Sequence, residues 1–303
     1  MPKVRGIAMT AGLCSVLLMA CGAADSIPRY TDIDHFGYVM ANAFRASHPE
    51  YVVGSGDYAF ERRPDEMAID LHASPNGESS GAVAAFGIRQ DRDSGGFSCT
   101  IGGDREPVPL EAAVRRLDTP ESQALSAALR RVGQRGGSAK EDVDAALQQA
   151  SRTKEVTAVV ELTQPLTADE IRGRKHLPVN NGVFSPALGG TPVYWDSRVG
   201  LFCHVCGGDG DAVTRDFRHW VDSLLPSDEP ALQHFGLGLA RLNEAARAGR
   251  IHAYIQHAEN PALLRKLLKQ DYVKTMYIVR VAGHCADDEP DECSWPGDGQ
   301  LYG

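Results

Sequence analysis

Hydrophobic positions along the chain follow two alternating periods. Over residues 31–45 the apolar side chains Ile33, Phe36, Val39, Met40 and Phe44 recur at three- and four-residue spacing. This predicts an amphipathic helix whose histidines and acids form a solvated face. Short runs with strand character follow at 58–62, 67–72, 82–89 and 96–101, divided by Pro, Gly, Asn and Ser, and predict a small antiparallel meander. The pattern then turns helical. Thr119-Pro120 sets a capping residue before proline at the first helical position, and Ser138-x-x-Glu141 reads as a capping box opening a helix over 143–150. The polar stretch 133–137 separates the two.

The second half carries longer apolar runs. Residues 156–162 read as a strand, Thr167-x-x-Glu170 as a capping box, and 183–195 as extended segments broken by Pro186, Gly189, Gly190 and Pro192. Leu232, Phe235, Leu239, Leu242 and Ala246 then keep helical spacing through 228–248, with Gly249 placed to end the helix. A strand at 251–257, a helix opened by Asn260-Pro261 and a strand at 273–281 close the chain's patterned part. Two strand-helix-strand units joined by a helical excursion resemble the ferredoxin-like order of elements. The expected class is α+β: an N-terminal helix plus small antiparallel sheet (30–105), a helical connector (106–152), a C-terminal ferredoxin-like sandwich (153–284) and an acidic tail (285–303).

The leader changes how the cysteines are read. Lys3 and Arg5 precede an uncharged apolar run, 6–20, which is shorter than the roughly 20 residues a spanning helix needs and has the order of a secretory signal. Its ending, Leu18-Met19-Ala20-Cys21, resembles the lipobox of bacterial lipoproteins. That resemblance, confined to the leader, implies removal of residues 1–20, a diacylglycerol thioether on Cys21 and an extracytoplasmic chain tethered to a membrane by residues 21–29. Two or more acyl chains anchor stably where one does not. The chain left behind has 29 cations against 40 anions, a net −11, which disfavours nucleic acid as a partner.

In an oxidising compartment, Cys99, Cys203, Cys206, Cys285 and Cys293 remain, an odd number. Loop closure favours Cys285 with Cys293 across the acidic ADDEPDE loop, on the order of 2.6 kcal/mol against roughly 1.9 for Cys203 with Cys206. Cys99 sits in an apolar strand and reads as a small buried thiol. The pair Cys203-x-x-Cys206 is followed by Gly207, not the histidine of a haem anchor, and the other cysteines and histidines lack zinc-ligand spacing. A dithiol catalyst needs a helix N-terminus or a nearby cation to hold its thiolate; here Asp209 and Asp211 follow, and helical pattern resumes only at 212–224. A structural staple is the favoured reading and thiol-disulfide exchange the rival.

Gly77-Glu78-Ser79-Ser80-Gly81 matches the Gly-x-Ser-x-Gly pattern, but a turn precedes it and a strand follows, the reverse of a nucleophile elbow. Hydrolysis at Ser79 is a weaker alternative. Asp209-Gly-Asp211 fails as a calcium loop, because the twelfth position is Trp220. Tyr194, Trp195 and Trp295 are candidate aromatic contacts for a ligand. No Walker loop, dinucleotide fingerprint or zincin motif occurs. The sequence therefore points to a non-catalytic cell-envelope lipoprotein, an interaction or ligand-binding module without a cofactor, whose partners are the membrane and an envelope protein or small ligand.

Overall fold

The computed structural model describes residues 32–62, 66–76, 84–91, 93–101, 108–150, 155–175, 179–187, 190–197 and 211–282. Among them are two antiparallel sheets with helices layered on and between them, an α+β architecture.

The first helix, α1 (Ile33–Ser47), opens where Asp32 accepts from the N–H groups of Asp34 and His35, the usual repair of unpaired donors at a helix start. It ends at His48 because Pro49 follows, and a residue before proline is pushed out of the helical region. The N-terminal sheet is a meander in the order β1 (Tyr51–Arg62), β2 (Glu66–Pro75), β3 (Ala84–Asp91), β4 (Phe97–Ile101). Met67, Ile69, Leu71 and Ala73 alternate onto its buried face while His72 stays exposed, the period-two signature of a sheet with one face on a core.

The solvated face expected on α1 is confined to its start, where Asp32 and Asp34 are exposed. From Phe36 to Ser47 the helix is buried nearly all round, because it packs on β1 and β2 and also against β7 of the second sheet. Its polar residues are accommodated locally: Asn42 Nδ2 donates to the Tyr38 carbonyl (3.0 Å), Ser47 Oγ to that of Ala43 (2.8 Å), and the Arg45 guanidinium lies 4.2 Å from the Trp195 ring centroid. His35 Nε2 meets the fully buried carboxylate of Asp228 at 3.1 Å, tying the start of α1 to the far end of the chain.

The chain between the sheets forms α2 (Leu110–Arg115), α3 (Pro120–Arg131) and α4 (Lys140–Gln149). Thr119 caps α3 as its sequence predicts, sharing a capping box with Ser122. The box expected at Ser138 does not form: α4 starts from Ala139, and the Ser138 carbonyl instead accepts from Thr275 Oγ1 at 2.8 Å. This region is a packing layer as much as a connector, since α3 and α4 both lie on the second sheet.

That sheet comprises β5 (Glu155–Leu166), β6 (Asn181–Ser185), β7 (Val193–Asp196), β8 (Ile251–Ala258) and β9 (Val273–Ala282), in the order β7-β6-β8-β5-β9. Read as β9-β5-β8-β6, four strands take the 4-1-3-2 order of the ferredoxin-like arrangement. An edge strand, β7, is added to it. Helix α5 (Ala168–Lys175) joins β5 to β6, and Thr167 and Glu170 form the expected reciprocal cap. Helix α9 (Pro261–Leu268) joins β8 to β9. The sheet is covered on both sides: Val156, Ala158 and Val160 face the main core with Phe184, Trp195 and Met276, whereas Val159 packs with Leu125, Leu129 and Val132 of the α3 side. Double burial explains why this strand reads as a continuous apolar run. Its buried acid, Glu161, is 3% exposed and accepts from Tyr277 Oη (2.8 Å), Lys274 Nζ (2.9 Å) and the Gly133 N–H (3.0 Å).

Helices α6 (Ala212–Ser223), α7 (Glu229–Gln233) and α8 (Leu239–Ala248) lie between β7 and β8. The single helix expected over 228–248 is therefore two. Gly236 has φ +66°, outside helical space, and Glu229 caps the second piece by accepting from the Leu239 N–H at 2.6 Å. Gly249, at φ +57°, ends α8 as its position predicts. Among the described residues no helix is long and apolar enough to cross a membrane.

Candidate functional site

Where the two sheets' layers meet, a cleft of about 600 Å³ opens between the α1–β1 turn, α3, the β6–β7 loop and the α7–α8 turn. Its volume is that of an ordinary small-molecule site. His48, Pro49 and Glu50 form one wall, Arg130 and Gln134 come from α3 and its end, Thr191 from the β6–β7 loop, and Gln233 and His234 from the α7–α8 turn.

Each wall is pinned from behind. Asn76 clamps the α1–β1 turn twice, its N–H to the Glu50 carbonyl (2.8 Å) and its Nδ2 to the Pro49 carbonyl (2.9 Å). The guanidinium of Arg241 on α8 holds the β6–β7 loop, donating to the carbonyls of Thr191 and Pro186 (2.6 Å each) and to Ser185 Oγ (2.9 Å). Glu229 supports the α7–α8 turn through Leu239 and through Gln233 Nε2 (3.2 Å), and the Phe97 ring lies 4.8 Å from that of His234. The cleft is thus a preorganised cavity whose turns and loop are held by the elements behind them.

Two ionisable groups in it are shifted by burial. Glu50 is 7% exposed, and among the described residues its carboxylate bonds only to its own backbone N–H. Desolvation pushes its pKa up to about 7; Asp118 pushes further in the same direction and Arg130 opposes. Desolvation pulls the half-buried His48 down to about 4, a bond to the Phe44 carbonyl opposes this, and Arg130 adds to it. Near neutral pH the cleft therefore holds a neutral imidazole beside a carboxyl poised between its two states.

The neighbouring Ser47 hydroxyl lies within hydrogen-bonding distance of the carbonyls of Ala43 (2.8 Å) and Phe44 (3.1 Å) and of His48 Nδ1 (2.7 Å).

None of the described residues singled out in the sequence lines this cleft. Tyr194 and Trp195 are 2% and 1% exposed on opposite faces of β7. Tyr194 Oη donates to Asp196 Oδ2 at 3.3 Å; Trp195 stacks 5.0 Å from Trp220 and donates Nε1 to Asp216 at 2.8 Å. Both are core residues in this fold. Cys99 is buried on β4. Cys21, Cys203, Cys206, Cys285, Cys293, Ser79 and Trp295 lie outside the described residues. Among those described, no cluster of three or more His, Cys, Asp or Glu side chains is arranged to hold a metal ion. What the sequence reading passed over is His48-Pro49-Glu50, a pair of ionisable residues flanking a proline at a helix-to-strand turn.

Comparison of the chain with protein-family models, with curated proteins and with solved structures finds no match in any of the three.

Proposed function

We propose that this chain is a non-catalytic, lipid-anchored cell-envelope protein that binds a small polar ligand in the cleft at His48 and Glu50. The observation that carries the binding role is the Glu50 carboxyl, almost wholly buried in the wall of a cavity yet bonded only to its own N–H. A buried carboxyl without a partner is costly, and a ligand donor removes that cost. The anchoring half rests on the lipobox-type ending at Cys21, which implies a mature chain starting there and held outside the cytoplasm. The net charge of that chain disfavours anionic partners.

Two measurements test the proposal. Expression of wild type and Cys21→Ser, followed by detergent-phase partition and intact-mass analysis, should give a diacylated, detergent-soluble wild type and an aqueous variant. For the ligand, thermal-shift screening of small polar compounds should return hits that Glu50→Gln loses. Hits retained by that variant would place binding elsewhere and overturn the cleft as the site.

A further inference from the structure

Resting on the reading of this cleft as the ligand site, we infer that it selects a small zwitterion, whose ammonium group sits on Glu50 and whose anionic group sits on Arg130. Both residues line the same 600 Å³ cavity, and neither has an ion-pair partner among the described residues. Their charges act on each other, since Arg130 favours ionised Glu50, but no direct pair closes between them. The adjacent His48 is held neutral by burial and by the same arginine. The cleft thus presents one anion-forming group and one fixed cation together with neutral hydrogen-bonding side chains.

Alternatives fit less well. A doubly charged anion would meet a single guanidinium and be repelled by Glu50. A divalent cation needs several oxygen ligands, and no such cluster exists among the described residues. A primary ammonium suits Glu50 because it offers three donors in a compact head, enough to satisfy a carboxylate that has only its own N–H. Ser126, Gln134 and Gln233 line the same cavity and supply neutral polar contacts. Arg130, exposed on α3, keeps its guanidinium hydrated until a carboxylate arrives, and the planar fork fits that group.

Calorimetry on the full chain tests this with a spacing series, glycine, β-alanine, γ-aminobutyrate and ε-aminocaproate, against n-butylamine, butyrate and erythritol. At least one zwitterion should bind about tenfold to hundredfold tighter than butylamine or butyrate, the range expected for one added charged hydrogen bond. Glu50→Gln should lower zwitterion and butylamine affinity while leaving butyrate unchanged; Arg130→Gln should do the reverse. Ammonium binding also drives Glu50 to ionise, so the measured enthalpy should vary with the buffer's own heat of ionisation near pH 6 to 7, roughly where that carboxyl is part-protonated. Equal affinity for butyrate or erythritol and the zwitterions, abolished by Glu50→Gln, would refute the charge assignment while leaving the cleft a ligand site. Binding by none of the probes would refute the assignment and count against the cleft itself.

Discussion

Replacing Glu50 with glutamine should make the protein more stable, and only above a particular pH. Glutamine keeps the size and hydrogen-bonding capacity of the side chain but cannot ionise. In the fold the Glu50 pKa is about 7, against an ordinary value of 4.5. At about 1.4 kcal/mol per tenfold, that difference corresponds to roughly 3 kcal/mol. Because the folded value is raised, the stability contributed by the protonated carboxyl is fully present below pH 4.5 and is lost as pH rises through about 7. The charged groups acting on it are Asp118, which strengthens the effect, and Arg130, which weakens it. His48 acts in the opposite sense: with its pKa pulled down to about 4, its contribution is present above 6.5 and fades as pH falls. In wild type the two slopes oppose each other, but His48 is common to both proteins and cancels in their difference. Urea unfolding of wild type and Glu50→Gln across a pH series should give a difference near zero at about pH 4, growing to about 3 kcal/mol in favour of the variant at about pH 8. A pH-independent difference, or a variant that weakens relative to wild type as pH rises, would show that Glu50 is solvated and that the argument from its burial is wrong.

Two further substitutions probe the frame around the site. Asn181 copies a backbone strand with its side chain, donating from Nδ2 to the Ile255 carbonyl (3.0 Å) and accepting from the Ile255 N–H (2.7 Å); Asn181→Ala leaves both groups unpaired and should cost about 2–4 kcal/mol in chemical denaturation, a loss below about 1 contradicting the bridge. Gly236→Ala forces a side chain onto a left-handed residue and places a Cβ 2.5 Å from Thr191 Oγ1; it should cost about 1–2 kcal/mol, and a double-mutant cycle with Thr191→Ala should recover the steric part but not the backbone part.

The fold was legible where burial obeys local periodicity. The meander's alternation, the Thr119 and Asn260 caps and the stop at Gly249 all read directly, because each depends on a few consecutive residues. The missed features have longer reach. The 228–248 pattern stays in helical phase through Gly236, so only the backbone angle there reveals the break. The burial of Asn42, Arg45 and Ser47 was hidden because Asn42 and Ser47 bond to carbonyls of their own helix and Arg45 lies against a tryptophan 150 positions away and an acid, Asp216, further still. The cleft itself was illegible for the same reason. Its walls come from separate segments around 47–50, 126–134, 187–192 and 233–236, and no spacing within any one of them announces a cavity.

Helix α1 has a consequence for how the molecule is made. It is synthesised before either sheet, yet its partners on β7 and the contact of His35 with Asp228, 193 residues away, exist only after residues 193–228 have been synthesised. Until then an apolar rod with Phe36, Met40 and Phe44 has one sheet to cover it and bare hydrocarbon on the other side. Contacts of such range slow folding, and apolar surface left uncovered in the meantime is prone to aggregate. Fragments ending before residue 181 should therefore need a chaperone to stay in solution, and the N-terminal region should gain protection from proteases at the same moment as the C-terminal sheet.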